Sequence, residues 1–174
     1  MNILLQLLEI ITLRREPQDL QYDEMAAAFY FVASVGLGYI THIIAAVYSQ
    51  PLMYSVVLNC AQAGTLYGVL SLKGHKNRFV QTCTAVFGVT VLLGLARLIF
   101  AHIPLLGILV LAVVGWALYL LVIIVRAALD CSTINALLVV IVMEFVSVVV
   151  LLLVFPQFLV EFQQLLEVAR SNNN

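Results

Sequence analysis

Charged side chains are scarce in this sequence. Lysine and arginine number 8 and aspartate and glutamate 9, together 10% of 174 residues, well under half the share usual in soluble domains. A fold of this size cannot hide a 64% hydrophobic composition behind so few charges, so a water-soluble globular domain is excluded. The two signs nearly cancel, at a formal net charge of −1, which leaves no global field to recruit nucleic acid or steer an acidic substrate. No nucleic-acid partner is expected. Cysteine is limited to Cys60, Cys83 and Cys131. Their number is odd, their spacing is not that of metal ligands, and each lies in or beside an apolar segment, as packing residues or inert thiols do. Paired carboxylates, a nucleophile beside a base, and a serine, histidine and acid set are all missing. Residues 73–78 contain glycine and lysine without the spacing of a phosphate-cradling loop. The sequence therefore predicts no enzyme, no cofactor and no metal site. Nor do residues 1–13 read as a signal peptide, since no basic stretch precedes them, Glu9 interrupts them and no small-residue cleavage site follows.

What the sequence does hold is long apolar runs. They fall at roughly 24–48, 51–72, 79–101, 104–125 and 133–155, each near the ~20 residues that cross a ~30 Å hydrocarbon core as a helix. A backbone in lipid must satisfy its own hydrogen bonds, and the short alternating segments of a barrel are absent, so the expected fold is all-α. The expectation is a polytopic membrane helical bundle forming one integral membrane domain over 1–174. Five transmembrane helices occupy 24–155, with amphipathic helices at 1–15 and 157–170. The first span is the weakest, diluted by Glu24, His42 and several small residues, and a tilted or re-entrant segment is an alternative there.

Lysine and arginine set the expected orientation. Arg14 and Arg15 precede the first span, Lys73, Lys76 and Arg78 lie between the second and third, and Arg126 begins the loop after the fourth. Five crossings put all six on one face, leaving only Arg170 on the other. The positive-inside rule then predicts a cytoplasmic N-terminus and a C-terminus on the opposite side.

Both ends are amphipathic. Asn2, Gln6 and Glu9 recur at helical spacing opposite Ile3, Leu4, Leu7, Leu8 and Ile11. After Pro156, Phe158, Phe162, Leu165, Leu166 and Ala169 oppose Gln157, Glu161, Gln164 and Glu167. Each end can lie at an interface, dock on its own bundle or bind a partner.

Glu144 is the most informative residue, because it falls near the middle of the fifth span, where a bare carboxylate is costly. It must be protonated or partnered. Arg97 in the third span is the candidate cation, at ~27 Å from the cytoplasmic end against ~16 Å for Glu144, a gap that a long guanidinium stem nearly closes. The competing reading has Arg97 reach the outer headgroups and Glu144 lock helices together as a neutral hydrogen-bonding group. Asn59 and Gln62 share a face of the second span, and His42 lies near the depth of Arg97, so the five could form a polar layer. Interhelical hydrogen bonding is the plainer role for Asn59 and Gln62, and packing for His42. Gly64 and Gly68 form a small-xxx-small pattern, and Gly36 with Gly38 smooths the first span. Such faces serve helix packing within the chain or between chains. Lys73, Lys76 and Arg78 can touch anionic lipid phosphates or act only as topology signals.

The five spans, the short loops and the acid in a last span that opens with Ser132-Thr133 and runs Leu137-Leu138-Val139-Val140-Ile141-Val142-Met143-Glu144 resemble the bacterial branch of the Yip family. The Asp-Leu-Tyr-Gly-Pro stretch of eukaryotic members is absent, so the resemblance implies no trafficking role. Pro17-Gln18-Asp19-Leu20 and Arg78-Phe79-Val80-Gln81-Thr82 are similar to stretches of small proteobacterial inner-membrane proteins. That likeness implies a bacterial inner membrane, with the C-terminus then in the periplasm, and transfers no residue role. The leading expectation is a noncatalytic scaffold, assembly factor or accessory subunit that binds lipids and other membrane proteins, or itself. The alternative is a small transporter or proton-coupled channel using Glu144, Arg97, Asn59 and Gln62.

Overall fold

The computed structural model describes residues 2–45, 49–103, 106–161 and 163. Within them the chain is helical, without a strand: α1 (Ile3–Ile11), α2 (Glu24–Ala45), α3 (Pro51–Leu72), α4 (Phe79–Ala101), α5 (Gly107–Leu129) and α6 (Thr133–Val154), with 3-10 turns at Pro17–Asp19 and Lys76–Arg78. Five of these helices, α2 to α6, are long and apolar enough to cross a membrane. The protein is a multi-pass all-α bundle. Most of the expected C-terminal helix at 157–170 lies outside the described residues.

Local chemistry sets the helix ends. Pro51 occupies the first turn of α3, where its missing N–H costs nothing. The Asp23 carboxylate accepts from Ala26 N at 3.0 Å before α2, and Ser132 Oγ from Asn135 N at 3.4 Å before α6. After α3, Gly74 takes φ +77°, and Gly74 N and His75 N reach back to Ser71 O and Leu70 O, a Schellman closure that needs a left-handed residue. Helix α5 runs one turn beyond the expected 125, to Leu129, and stops at a left-handed Asp130. Arg126 is thus in the helix rather than the loop. Arg126, Ala127, Ala128 and Leu129 favour helix, and an arginine at a span's end is tolerated because its stem reaches water. The first span is one unbroken helix to Ala45, not a re-entrant segment.

The five long helices close into a ring. Helix α2 packs between α3 and α4, α4 against α5, α5 against α6, and α6 returns to α3. Packing is tightest at the end carrying Lys73, Lys76, Arg78 and Arg126, here termed the basic end. All eight residues of α4 from Thr82 to Val89 are buried, and none from Thr90 to Ala101 is. Helix α5 buries Leu120, Val122, Ile124, Val125, Ala128 and Leu129, all in its half nearer the basic end. Toward the other end, α3 and α6 stay together around Tyr54, Ser55, Ser147 and Leu151, while α4 and α5 lose their buried positions.

Helix α1 is shorter than expected, ending at Ile11 with Leu13 at φ +57°. It docks on its own bundle through Gln6, Leu7 and Ile10, a buried side that cuts across the polar and apolar faces of the sequence pattern. Gln6, expected on an outward polar face, is 2% exposed and accepts from Gln21 N at 3.0 Å. Leu4, Leu5 and Leu8 are exposed. In lipid an outward leucine costs nothing, whereas a polar group gains by finding a partner inside. Leu7 fills the notch at Gly88, where an added Cβ would stand 2.5 Å from Leu7 Cδ1. The Trp116 indole donates to the Ile11 carbonyl at 3.1 Å, and Thr12 Oγ1 to the Leu8 and Glu9 carbonyls, so the helix end keeps partners away from water. Trp116 lies ~20 Å along α5 from the basic end, so α1 is set deep against the bundle.

A central cavity as the candidate functional site

Where α4 and α5 part from the other helices, the ring surrounds a cavity of about 410 Å³ with walls from all five long helices. The tight packing described above closes it toward the basic end. Ser34 and Thr41 of α2, Asn59 and Gln62 of α3, Thr90 and Arg97 of α4, and Glu144 of α6 contribute its polar surface. Helix α5 supplies apolar wall, including Val113, Ala117 and Leu121.

Four of the five polar residues singled out from sequence meet here. Glu144 accepts from Gln62 Nε2 at 3.0 Å, tying α6 to α3. The Ser34 hydroxyl donates to Asn59 Oδ1, tying α2 to α3, while Asn59 Nδ2 donates to Ser55 O at 2.8 Å. Arg97 faces the same space but forms no ion pair with Glu144. Among the described residues the ion pairs are Arg15–Glu9 and Arg78–Asp130. Counted along the helices, Arg97 lies about seven residues farther from the basic end than Glu144, ~10 Å, which leaves the two charges at different levels of one chamber. His42 is not in the walls. Its ring stands edge-on to Tyr54, centroids 6.4 Å apart.

The glycines divide differently from the sequence pattern. A Cβ on Gly36, Gly64 or Gly68 would meet nothing within 4 Å, so none of the three forms a packing notch within the chain. Among the described glycines the notches are Gly38 against Ser55, Gly88 against Leu7 and Gly94 against Leu37. A small-xxx-small spacing marks a smooth face without specifying its occupant. Arg78 is also committed. Its guanidinium donates to the Ala127 and Ala128 carbonyls at 3.2 and 3.3 Å and to the Asp130 carboxylate at 2.7 Å, capping α5 rather than facing lipid phosphate. Lys73 and Lys76 are exposed.

No family model matches the chain, and neither a curated protein nor a solved structure does. The reading of the cavity therefore rests on its own chemistry.

Among the described residues no group of His, Cys, Asp or Glu is placed to hold a metal, and no buried side-chain polar atom lacks a hydrogen-bond partner. Cys83 is buried, Cys131 half-buried and Cys60 exposed, all as free thiols. At the end away from the basic loops, sequence reasoning missed a cluster. Tyr54 donates to Glu161 Oε2 at 2.9 Å and Ser49 N to Glu161 Oε1 at 3.2 Å, with the Phe155 and Phe158 rings edge-on to Tyr54 at 4.8 and 5.4 Å. The amphipathic pattern placed Glu161 on a solvated face, and nothing local signalled a partner 107 residues away. What the cavity offers chemically is a carboxyl group that can carry a proton, a guanidinium that can hold an anion, and hydroxyl and amide groups that can orient a polar solute.

Proposed function

We propose that the protein is a small noncatalytic transporter of the bacterial inner membrane, which takes a polar solute into the central cavity and uses Glu144 as its proton-carrying group. One observation carries this reading: a chamber walled by all five spans and closed at the basic end, whose mostly apolar lining is interrupted by a few polar side chains, an ionisable carboxyl among them. Ionisable groups kept inside a membrane bundle and turned toward a cavity mark solute and proton pathways. Arg97 favours an anionic solute. The positive-inside rule puts the basic end and the N-terminus in the cytoplasm and opens the chamber toward the periplasm. Reporter fusions at the two termini test that orientation and must report opposite sides.

Proteoliposomes loaded with a pH-sensitive dye test the transport itself. Gradients of succinate, inorganic phosphate or a neutral amino acid are imposed, and at least one is expected to drive proton movement well above that of protein-free vesicles. No response to any of them counts against the proposal.

A second reading keeps the protein as a scaffold or accessory subunit. It is favoured by Gly36, Gly64 and Gly68, each of which faces open space and so lets another membrane helix or a second copy approach closely. Introduced cysteines crosslinking across α3 between chains would support it. Kinship with the bacterial Yip branch belongs to either reading as shared architecture, with no residue role drawn from it.

A further inference from the structure

A second pocket, separate from the central cavity, lies at the basic end. It occupies about 530 Å³ between residues 13–18 and the last turns of α5. Arg14 and Arg15 stand on one side and Arg126 on the other, with Tyr119 and Ile123 continuing the wall along α5 toward the bilayer interior. Two acids, Glu16 and Asp130, also border it. The ion pairs decide what charge remains. Arg15 is held by Glu9 at 2.8 Å, and Asp130 by Arg78 at 2.7 Å. The Glu16 carboxylate accepts from the neutral Gln18 amide and keeps its charge, so Arg14 and Arg126 outnumber it two to one. Arg14 and Arg126 are exposed and have no acidic partner among the described residues. Two segments far apart in sequence thus bring two unmatched guanidinium groups to one concave surface at the end of a span, above an apolar wall.

We infer that this pocket binds the phosphate of an anionic phospholipid. A guanidinium fork matches phosphate oxygens in shape as well as charge. The site's level in the bundle fits a headgroup recessed at the boundary of the hydrocarbon, and the Tyr119 and Ile123 wall fits the first part of an acyl chain. A free phosphate would use the arginines but not that wall. The site differs from the Lys73 and Lys76 loop, whose two lysines are exposed and line neither this pocket nor the central cavity.

Native mass spectrometry of the full chain, released from detergent with added phosphatidylglycerol or phosphatidylcholine, tests the inference. The wild type is expected to retain phosphatidylglycerol preferentially, and R14Q/R126Q to lose about tenfold in that preference. K73Q/K76Q should leave it unchanged. Should R126Q fail to fold, R14Q alone, in the loop, reads the same site, and circular dichroism confirms the helix content of each variant. Inorganic phosphate at millimolar concentration should not displace the lipid. Equal retention of the two lipids by the wild type, an equal loss in K73Q/K76Q, or full displacement by phosphate would overturn the assignment.

Discussion

Gly38→Leu is expected to lower the stability of the bundle by about 2–4 kcal/mol, combining overpacking with one lost interhelical hydrogen bond. The reason lies in the α2–α3 contact. A Cβ on Gly38 would stand 2.9 Å from Ser55 Oγ and 3.2 Å from Ser55 Cβ. Ser55 cannot swing away, because its hydroxyl donates to Pro51 O at 3.0 Å and its side chain is 1% exposed. The two helices must separate. Ser34 and Asn59 lie one helical turn away on the same antiparallel contact, so their hydrogen bond is lost with the movement. Gly36→Leu is the control. It adds the same side chain two residues away, into space with nothing within 4 Å, and it gains up to about 1 kcal/mol from helix propensity. Thermal or denaturant unfolding in detergent should separate the variants widely. If the two melt together, the notch is not what holds α2 to α3.

The contrast between Gly36 and Gly38 shows where sequence reasoning reached and where it stopped. Long apolar runs and short breaks sufficed to place the five spans, because length and hydropathy are local properties and lipid enforces helix on any such run. Pro51 and Ser132 placed helix starts for the same local reason. Partners are not local. Gly64 and Gly68 have the spacing of a packing motif but face outward, while Gly88 and Gly94, unremarkable in sequence, receive Leu7 and Leu37. Helix α1 was legible as amphipathic, yet its buried side could not be read by the rule for water-soluble helices, since lipid removes the penalty on exposed Leu4, Leu5 and Leu8. Depth counting brought Glu144, Gln62 and Asn59 to a common level, where the cavity is. It did not reveal that Gln62, on the neighbouring helix, would be the hydrogen-bond partner of Glu144 while Arg97 stayed apart. Ring order decides that, and ring order is set by packing among helices distant in sequence.

If the protein carries out the proposed transport, Glu144→Gln should leave the fold in place and lower proton-coupled flux by about tenfold or more. Glutamine preserves the volume of the side chain and keeps an oxygen that can accept from Gln62 Nε2, the 3.0 Å bond that ties α6 to α3. What it removes is the exchangeable proton. Arg97→Gln is expected to act differently, raising the solute concentration for half-maximal uptake by about tenfold through loss of one charge-assisted contact, with coupling to protons retained in whatever uptake remains. Both effects are read in the same dye-loaded proteoliposomes, and thermal unfolding in detergent reports the fold. A purely architectural Glu144 makes the opposite prediction, because any change in Glu144→Gln would then appear as altered unfolding, with uptake following only the amount of folded protein. The separation of Arg97 and Glu144 within one chamber is what permits two distinct phenotypes. A direct ion pair would have made either substitution strand the other charge in the membrane and collapse both measurements together. Uptake by Glu144→Gln at the wild-type rate, with its proton movement intact, would remove the carboxyl group from the mechanism.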